Sequence, residues 1–132
     1  MDIEFEKAII QRIFKKSFRE RSVFLLDRDD RDRIFYLLDN KIRKDYLYPI
    51  KAKIADEMEL YRMLKREGCD DKCYFMHEFA EKSGYFSLKT AAERIQWCYP
   101  AIIIDVELKT GFVECDGETK WQHFMLKVTE GR

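Results

Sequence analysis

The sequence predicts an α+β fold: about three N-terminal helices packed on a small C-terminal, mostly antiparallel sheet of three or four strands with one crossover helix. Sustained strand character is confined to WCYPAIIIDVELKTGFVECDGETKWQHFMLKV, residues 97–128, which two turn signals divide into three runs. The preceding residues are rich in charge and carry apolar side chains at helical spacing. Hydrophobic residues at 46% and aromatics at 14% supply enough apolar surface for a core and exclude a disordered chain. At 132 residues the chain suits one domain, helical over about 1–68 and sheet-forming over about 69–132.

Residues 3–26 read as one long amphipathic helix. Phe5, Ile9 and Ile13 form one row and Ile10, Phe14 and Phe18 a second, with Lys7, Arg12, Lys15, Lys16 and Arg19 mostly off the stripe. The cluster DRDDRDR at 27–33 breaks the pattern, and Asp29 or Asp30 can cap a second helix running to Ile42. Its apolar face is Ile34, Phe35, Leu37, Leu38 and Ile42, and Asp27–Arg31 and Asp29–Arg33 are spaced as acid-first helical pairs. Tyr46, Leu47 and Tyr48 before Pro49 predict a loop, because the residue before proline is pushed out of helical geometry. A third helix is expected from Ala52 to Arg66, stopped by Gly68.

The aromatics of CYFMHEF at 73–79 predict a first strand, and Lys82-Ser83-Gly84 a loop. Ser87 suits the cap of the crossover helix, Leu88 to Gln96. Ala101–Leu108 then reads as a strand buried at its start and half-exposed at its end. Thr110-Gly111 turns the chain into Phe112–Cys115, and Asp116-Gly117 is a hairpin signal leading to Trp121–Val128.

From Leu60 onward, LYRMLKREGCDDKCYFMHEF, SLKTAAERI and AIIIDVELKTGFVECDGE follow an order that resembles a family of small bacterial proteins with no assigned function. The resemblance implies a helix ending in glycine, a Cys-Tyr strand, a short helix and a hairpin near an acidic-glycine turn. Lys16–Leu26 is similar to the family's basic, aromatic first helix. The likeness covers about half the chain and implies a fold without a chemistry.

Charge bounds the function classes. The 25 basic and 25 acidic residues cancel, but residues 1–66 carry 17 Lys/Arg against 13 Asp/Glu, and residues 67–132 carry 8 against 12. The longest uncharged apolar stretch, Trp97–Ile104, is far short of a membrane span of roughly 20 residues. The N-terminus opens with acids, unlike a signal peptide, so a cytoplasmic protein with no membrane association is expected. In that compartment Cys69, Cys73, Cys98 and Cys115 are thiols.

Four groupings could carry chemistry. Cys69, Cys73 and His77 would stack for zinc only on a helix; on a strand they spread along about 13 Å, so no metal ligand is expected. A cysteine beside His77 or His123 would make a thiol–imidazole nucleophile, but no oxyanion loop accompanies one. Asp105, Glu107, Glu114 and Asp116 put carboxylates on the hairpin, where alternation turns most of them to water. Arg12, Lys15, Lys16, Arg19 and Arg21 could meet phosphates, yet a neutral domain without a nucleic-acid signature points away from that partner. The five glycines are isolated, so no phosphate loop and no cofactor are expected.

The expected function is therefore a small, non-enzymatic protein-binding module of the immunity, antitoxin or inhibitor kind. Its candidate surface is Tyr46, Tyr48, Arg12, Lys15, Lys16, Arg19, Glu107 and Glu114. A thiol/His-dependent enzyme is the alternative, and a nucleic-acid binder the third. A homo-oligomer stays open.

Overall fold

The computed structural model describes residues 1–50, 56–116 and 121–129. It is α+β, and its centre is an antiparallel sheet of six strands, covered by helices on both faces.

The strands are β1 (Leu47–Pro49), β2 (Lys72–His77), β3 (Gly84–Ser87), β4 (Ala101–Asp105), β5 (Thr110–Asp116) and β6 (Trp121–Lys127). They lie in the order β1-β6-β5-β4-β2-β3. Two strands exceed the expected three or four: Leu47–Pro49, expected as loop, pairs with Phe124–Leu126, and the residues after Ser83 pair with Lys72–Phe75. Both are short edges, one ending in proline, as edge strands commonly are. The tip of the Asp116-Gly117 turn lies outside the described residues, but β5 and β6 pair antiparallel on either side of it.

The helices are α1 (Ile3–Ile13), α2 (Lys16–Asp27), α3 (Leu38–Lys41), α4 (Glu57–Arg66) and α5 (Leu88–Arg94). The α1 helix is started by Asp2, whose carboxylate accepts from the Phe5 amide at 3.0 Å, with Glu4 and Glu6 at its positive end. Asp56 and Ser87 cap α4 and α5 in the same way. Of the expected Ala52–Arg66 helix, the first four residues lie outside the described range. Gly68 ends the region at φ 95°, a backbone angle that glycine reaches without penalty. The α5 helix crosses β2, so β3 and β4 flank that strand from opposite sides.

The N-terminal helices depart from the expected arrangement. The single helix over 3–26 breaks at Phe14 and Lys15, both extended, because Phe14 forms a β-bridge with Ile42. The second helix is replaced by a 3-10 turn at Arg31–Phe35 and the single turn α3, separated by Leu37 at φ 49°. Asp27 and Arg31 therefore do not pair with each other. Lys7 holds Asp27 at 2.9 Å, and Arg31 turns inward to Glu6.

Strand alternation feeds two cores. Tyr74, Met76, Ile102, Ile104, Val113, Cys115, Phe124 and Leu126 meet Ile9, Ile10, Ile13, Leu25, Leu26 and Leu38 of α1–α3. Cys73, Phe75, Ala101, Ile103, Phe112 and Met125 meet Leu60, Leu64, Leu88, Ala91 and Ala92 of α4 and α5. The strand β4 is thus buried along its whole length, and the partial exposure expected at the end of Ala101–Leu108 falls on Val106, Glu107 and Leu108 in the turn that follows. Ile102, Ile103 and Ile104 are each fully buried, worth about 1.5–3 kcal/mol apiece relative to exposure.

Two buried ionic clusters tie the layers together. Arg31 forks onto Glu6, with Nη1–Oε1 and Nη2–Oε2 both 2.8 Å, and donates to the His77 carbonyl and Ser83 Oγ. Tyr74 adds a 2.7 Å bond to Glu6, so the first helix, the 3-10 turn and β2 share one network. Burial, with the bond to Glu6, pushes the Tyr74 phenol up. Asp105 is fully buried, which corrects the expectation that the hairpin acids mostly face water. It accepts from Lys109 Nζ at 2.7 Å and from the Lys109 amide at 2.9 Å, closing the β4–β5 turn. Burial opposes the Lys109 charge, but Asp105 and Asp70 hold the ammonium above its ordinary range.

Candidate functional site

The bridge that breaks the first helix also builds a cleft. The Lys15 amide donates to the Lys41 carbonyl and the Arg43 amide to the Ile13 carbonyl, both at 2.8 Å. This pairing brings the start of α2 beside the segment that leads into β1. The result is a cleft of about 390 Å³ lined by Lys15, Lys16, Arg19, Arg43, Lys44 and Asp45. Five cations face one carboxylate.

That carboxylate is committed. Asp45 takes a fork from Arg43, Nη2 at 2.9 Å and Nε at 3.3 Å, and the guanidinium sits 4.5 Å from the centre of the Tyr46 ring. Arg19 Nε donates to the Phe14 carbonyl at 3.0 Å. Among the described residues Lys15, Lys16, Arg19 and Lys44 make no ion pair, so their positive charge is available to a ligand. A second notch, about 290 Å³, adjoins it through Lys44 and is lined by Asp39, Asn40, Leu47, Pro49 and Phe124.

The structure sorts the sequence candidates. Lys15, Lys16 and Arg19 come together in the cleft, while Arg12, in the last turn of α1, is not among its lining residues. Tyr46 does not belong to the surface: at 1% exposure it is a core residue under Arg43. Tyr48 is exposed on β1, with its ring 5.8 Å from Lys127 Nζ. Glu107 lies in the β4–β5 turn, 3.8 Å from Lys109, and Glu114 is half-buried on β5 near His123. Neither carboxylate lines the cleft. Arg43 and Lys44 stand apart from the basic run at 12–21, and nothing in the local sequence joins them to it. Only the pairing with residues 13–15 turns them toward α2.

The thiol and imidazole groups are held in the core. Cys73, Phe75 and His77 alternate along β2, which spreads the cysteine and histidine about 13 Å apart. His77 is buried, its Nδ1 accepts from the Phe79 amide at 2.9 Å, and burial with nearby Lys82, Arg31 and Arg94 pushes its pKa down to about 4. Cys69 and Cys73 lie with sulfurs 3.8 Å apart. The contact with Cys73, then burial, raises the Cys69 pKa and suppresses the thiolate a nucleophile needs. Burial likewise pushes Cys115 up to about 12. His123 Nδ1 approaches Glu114 at 3.4 Å without hydrogen-bond geometry. Among the described residues, no group of three His, Cys, Asp or Glu side chains is arranged to hold a metal ion. No described helix is long and apolar enough to cross a membrane.

A larger cleft, about 620 Å³, opens between Asp71, Lys72, Cys73, Tyr85, Phe86, Ser87 and Val106. Its cysteine, Cys73, is 1% exposed and has its sulfur 3.3 Å from the Asp70 carbonyl oxygen, and the Ser87 hydroxyl is engaged in capping α5. The space offers apolar contact and no assembled chemistry.

Comparison with protein-family models finds no match, and neither curated proteins nor solved structures give one. The resemblance to small bacterial proteins rests on the residues quoted for it alone.

Proposed function

We propose that the chain is a non-enzymatic binding module that engages a protein partner through the surface around the basic cleft, in the manner of small immunity, antitoxin or inhibitor proteins. One observation carries this reading. Two segments distant in sequence, 15–19 and 43–44, converge to give four cations that have no ion-pair partner among the described residues, in a single concavity. A monomer has no packing need for such a concentration, and complementary charge is how interfaces gain specificity and encounter rate. The burial and raised pKa of Cys69, and the depressed pKa of His77, weigh against the thiol–imidazole alternative.

The test is affinity purification of the tagged full chain from its native cells, followed by calorimetry with the purified partner. A stoichiometric protein complex is expected, with affinity that falls as salt rises. Purification without a stoichiometric protein would overturn the reading. The same cations suit nucleic-acid phosphates, so a mobility shift on duplex or single-stranded DNA that exceeds any protein binding would transfer the site to that partner.

A further inference from the structure

The cleft and the notch share Lys44, and their linings differ in kind. One side gathers Lys15, Lys16, Arg19 and Lys44; the other offers Leu47, Pro49 and Phe124. We infer that together they form one recognition groove for an extended acidic segment of a protein, with its carboxylates among the four cations and an apolar side chain seated beside Leu47, Pro49 and Phe124. This rests on the proposed binding-module function and names the chemistry of its partner.

Three observations fix the class. Asp45 already occupies Arg43 through a two-point fork, so the groove keeps a fixed wall and leaves the single-point lysines for the ligand. Lysine ammonium groups and the remaining guanidinium edge of Arg19 suit dispersed carboxylates. The notch sets the apolar side chains of Leu47, Pro49 and Phe124 beside Asp39, Asn40 and Lys44, and β1 holds Leu47 and Pro49 to one face while Tyr48, by strand alternation, points to the other. A phosphodiester backbone offers no apolar group for that notch. An acidic peptide with an apolar residue satisfies both halves.

The probe is a dye-labelled peptide carrying a run of glutamates followed by leucine, titrated with the full-length chain and followed by fluorescence anisotropy. K16E/K44E, at two exposed positions, is expected to weaken binding about tenfold or more, because each reversal replaces attraction with repulsion. K89E, an exposed lysine on α5 away from the groove, is expected to leave affinity unchanged. Replacing the peptide leucine by serine is expected to weaken binding about fivefold, the effect of losing one buried apolar side chain partly exposed at a groove rim. Far-UV circular dichroism of each variant checks that the fold is retained.

Equal affinity of K16E/K44E and the unaltered chain would overturn the assignment, as would indifference to the leucine. Displacement of the peptide by an equal charge of single-stranded DNA would overturn it in favour of a general polyanion surface. The two levels separate cleanly. A stoichiometric native partner whose binding ignores K16E/K44E removes the groove and keeps the binding module. Peptide binding in the groove without any native protein partner removes the module.

Discussion

Replacing Arg31 by methionine tests the network that fastens the first helix to the sheet. Arg31 is 5% exposed and Glu6 fully buried. The substitution keeps side-chain bulk but deletes both 2.8 Å bonds to Glu6, and the bonds to the His77 carbonyl and Ser83. Glu6 would be left with the Tyr74 hydroxyl as its hydrogen-bond partner, a buried charge without a counter-charge. Breaking a buried pair from one side costs about 3–5 kcal/mol, a large part of a native stability of roughly 5–15 kcal/mol. With a urea slope of about 1–3 kcal/mol/M, the unfolding midpoint should fall by roughly 2 M. The double variant E6M/R31M removes both charges at once. It should recover most of the loss, staying within about 2 kcal/mol of the unaltered chain, since Tyr74 keeps the Asp2 amide as a donor. The assay is urea unfolding followed by far-UV circular dichroism on the four members of the cycle. A loss below about 1 kcal/mol in R31M, or strict additivity across the cycle, would refute the account of this pair as strongly coupled.

Gly111→Ala should be among the most damaging single-methyl additions, because the new Cβ would press into the Ile103 carbonyl and lie 2.8 Å from Ile104 Cα, backbone atoms that cannot swing away. Loss of the cooperative thermal transition, or a fall of more than about 3 kcal/mol, is expected, and an unchanged transition would contradict the register of β4 and β5. Burial holds the His77 pKa near 4, below an unfolded value of about 6.5, so the unfolded chain binds the extra proton between those limits. Stability should thus be full above about pH 6.5 and fall on acidification towards pH 4, by at most about 3 kcal/mol from this group. Glu78, raised by burial, acts in the opposite sense, so comparison of urea midpoints with H77Q isolates the histidine; an identical pH profile in H77Q would refute the assignment. Among the thiols, half-buried Cys98 should react first with a thiol-specific reagent, while Cys69, Cys73 and Cys115 wait for unfolding. Rapid native-state labelling of more than one thiol would show the core cysteines to be accessible.

The cleft itself was half-legible. Lys15, Lys16 and Arg19 stand out as a basic run with helical spacing, and composition alone marks them as a candidate surface. Tyr46 reads as exposed loop because it opens the run Tyr46-Leu47-Tyr48 that ends at Pro49, whereas Arg43 stacks over its ring and the core takes it in. Arg43 and Lys44 could not be assigned to the same site, since only a long-range bridge decides what faces them.

By itself the sequence determined what is local. Aromatics marked β2, β-branched residues and alternation marked β4, turn signals set off β5 and β6, and Gly68 and Ser87 marked a helix end and a helix start. Tertiary structure decided where those local preferences lost. Phe14 and Lys15 have helical neighbours on both sides, yet they are extended, because bridging to residues 41–43 satisfies backbone groups that a continuous helix would also satisfy. Leu47–Pro49 became a strand because β6 offered an unpaired edge, and Glu6, Arg31 and Asp105 became core residues because each found its counter-charge there. Local preference is set by neighbours in the chain; pairing and burial are set by partners that the chain meets only after it folds.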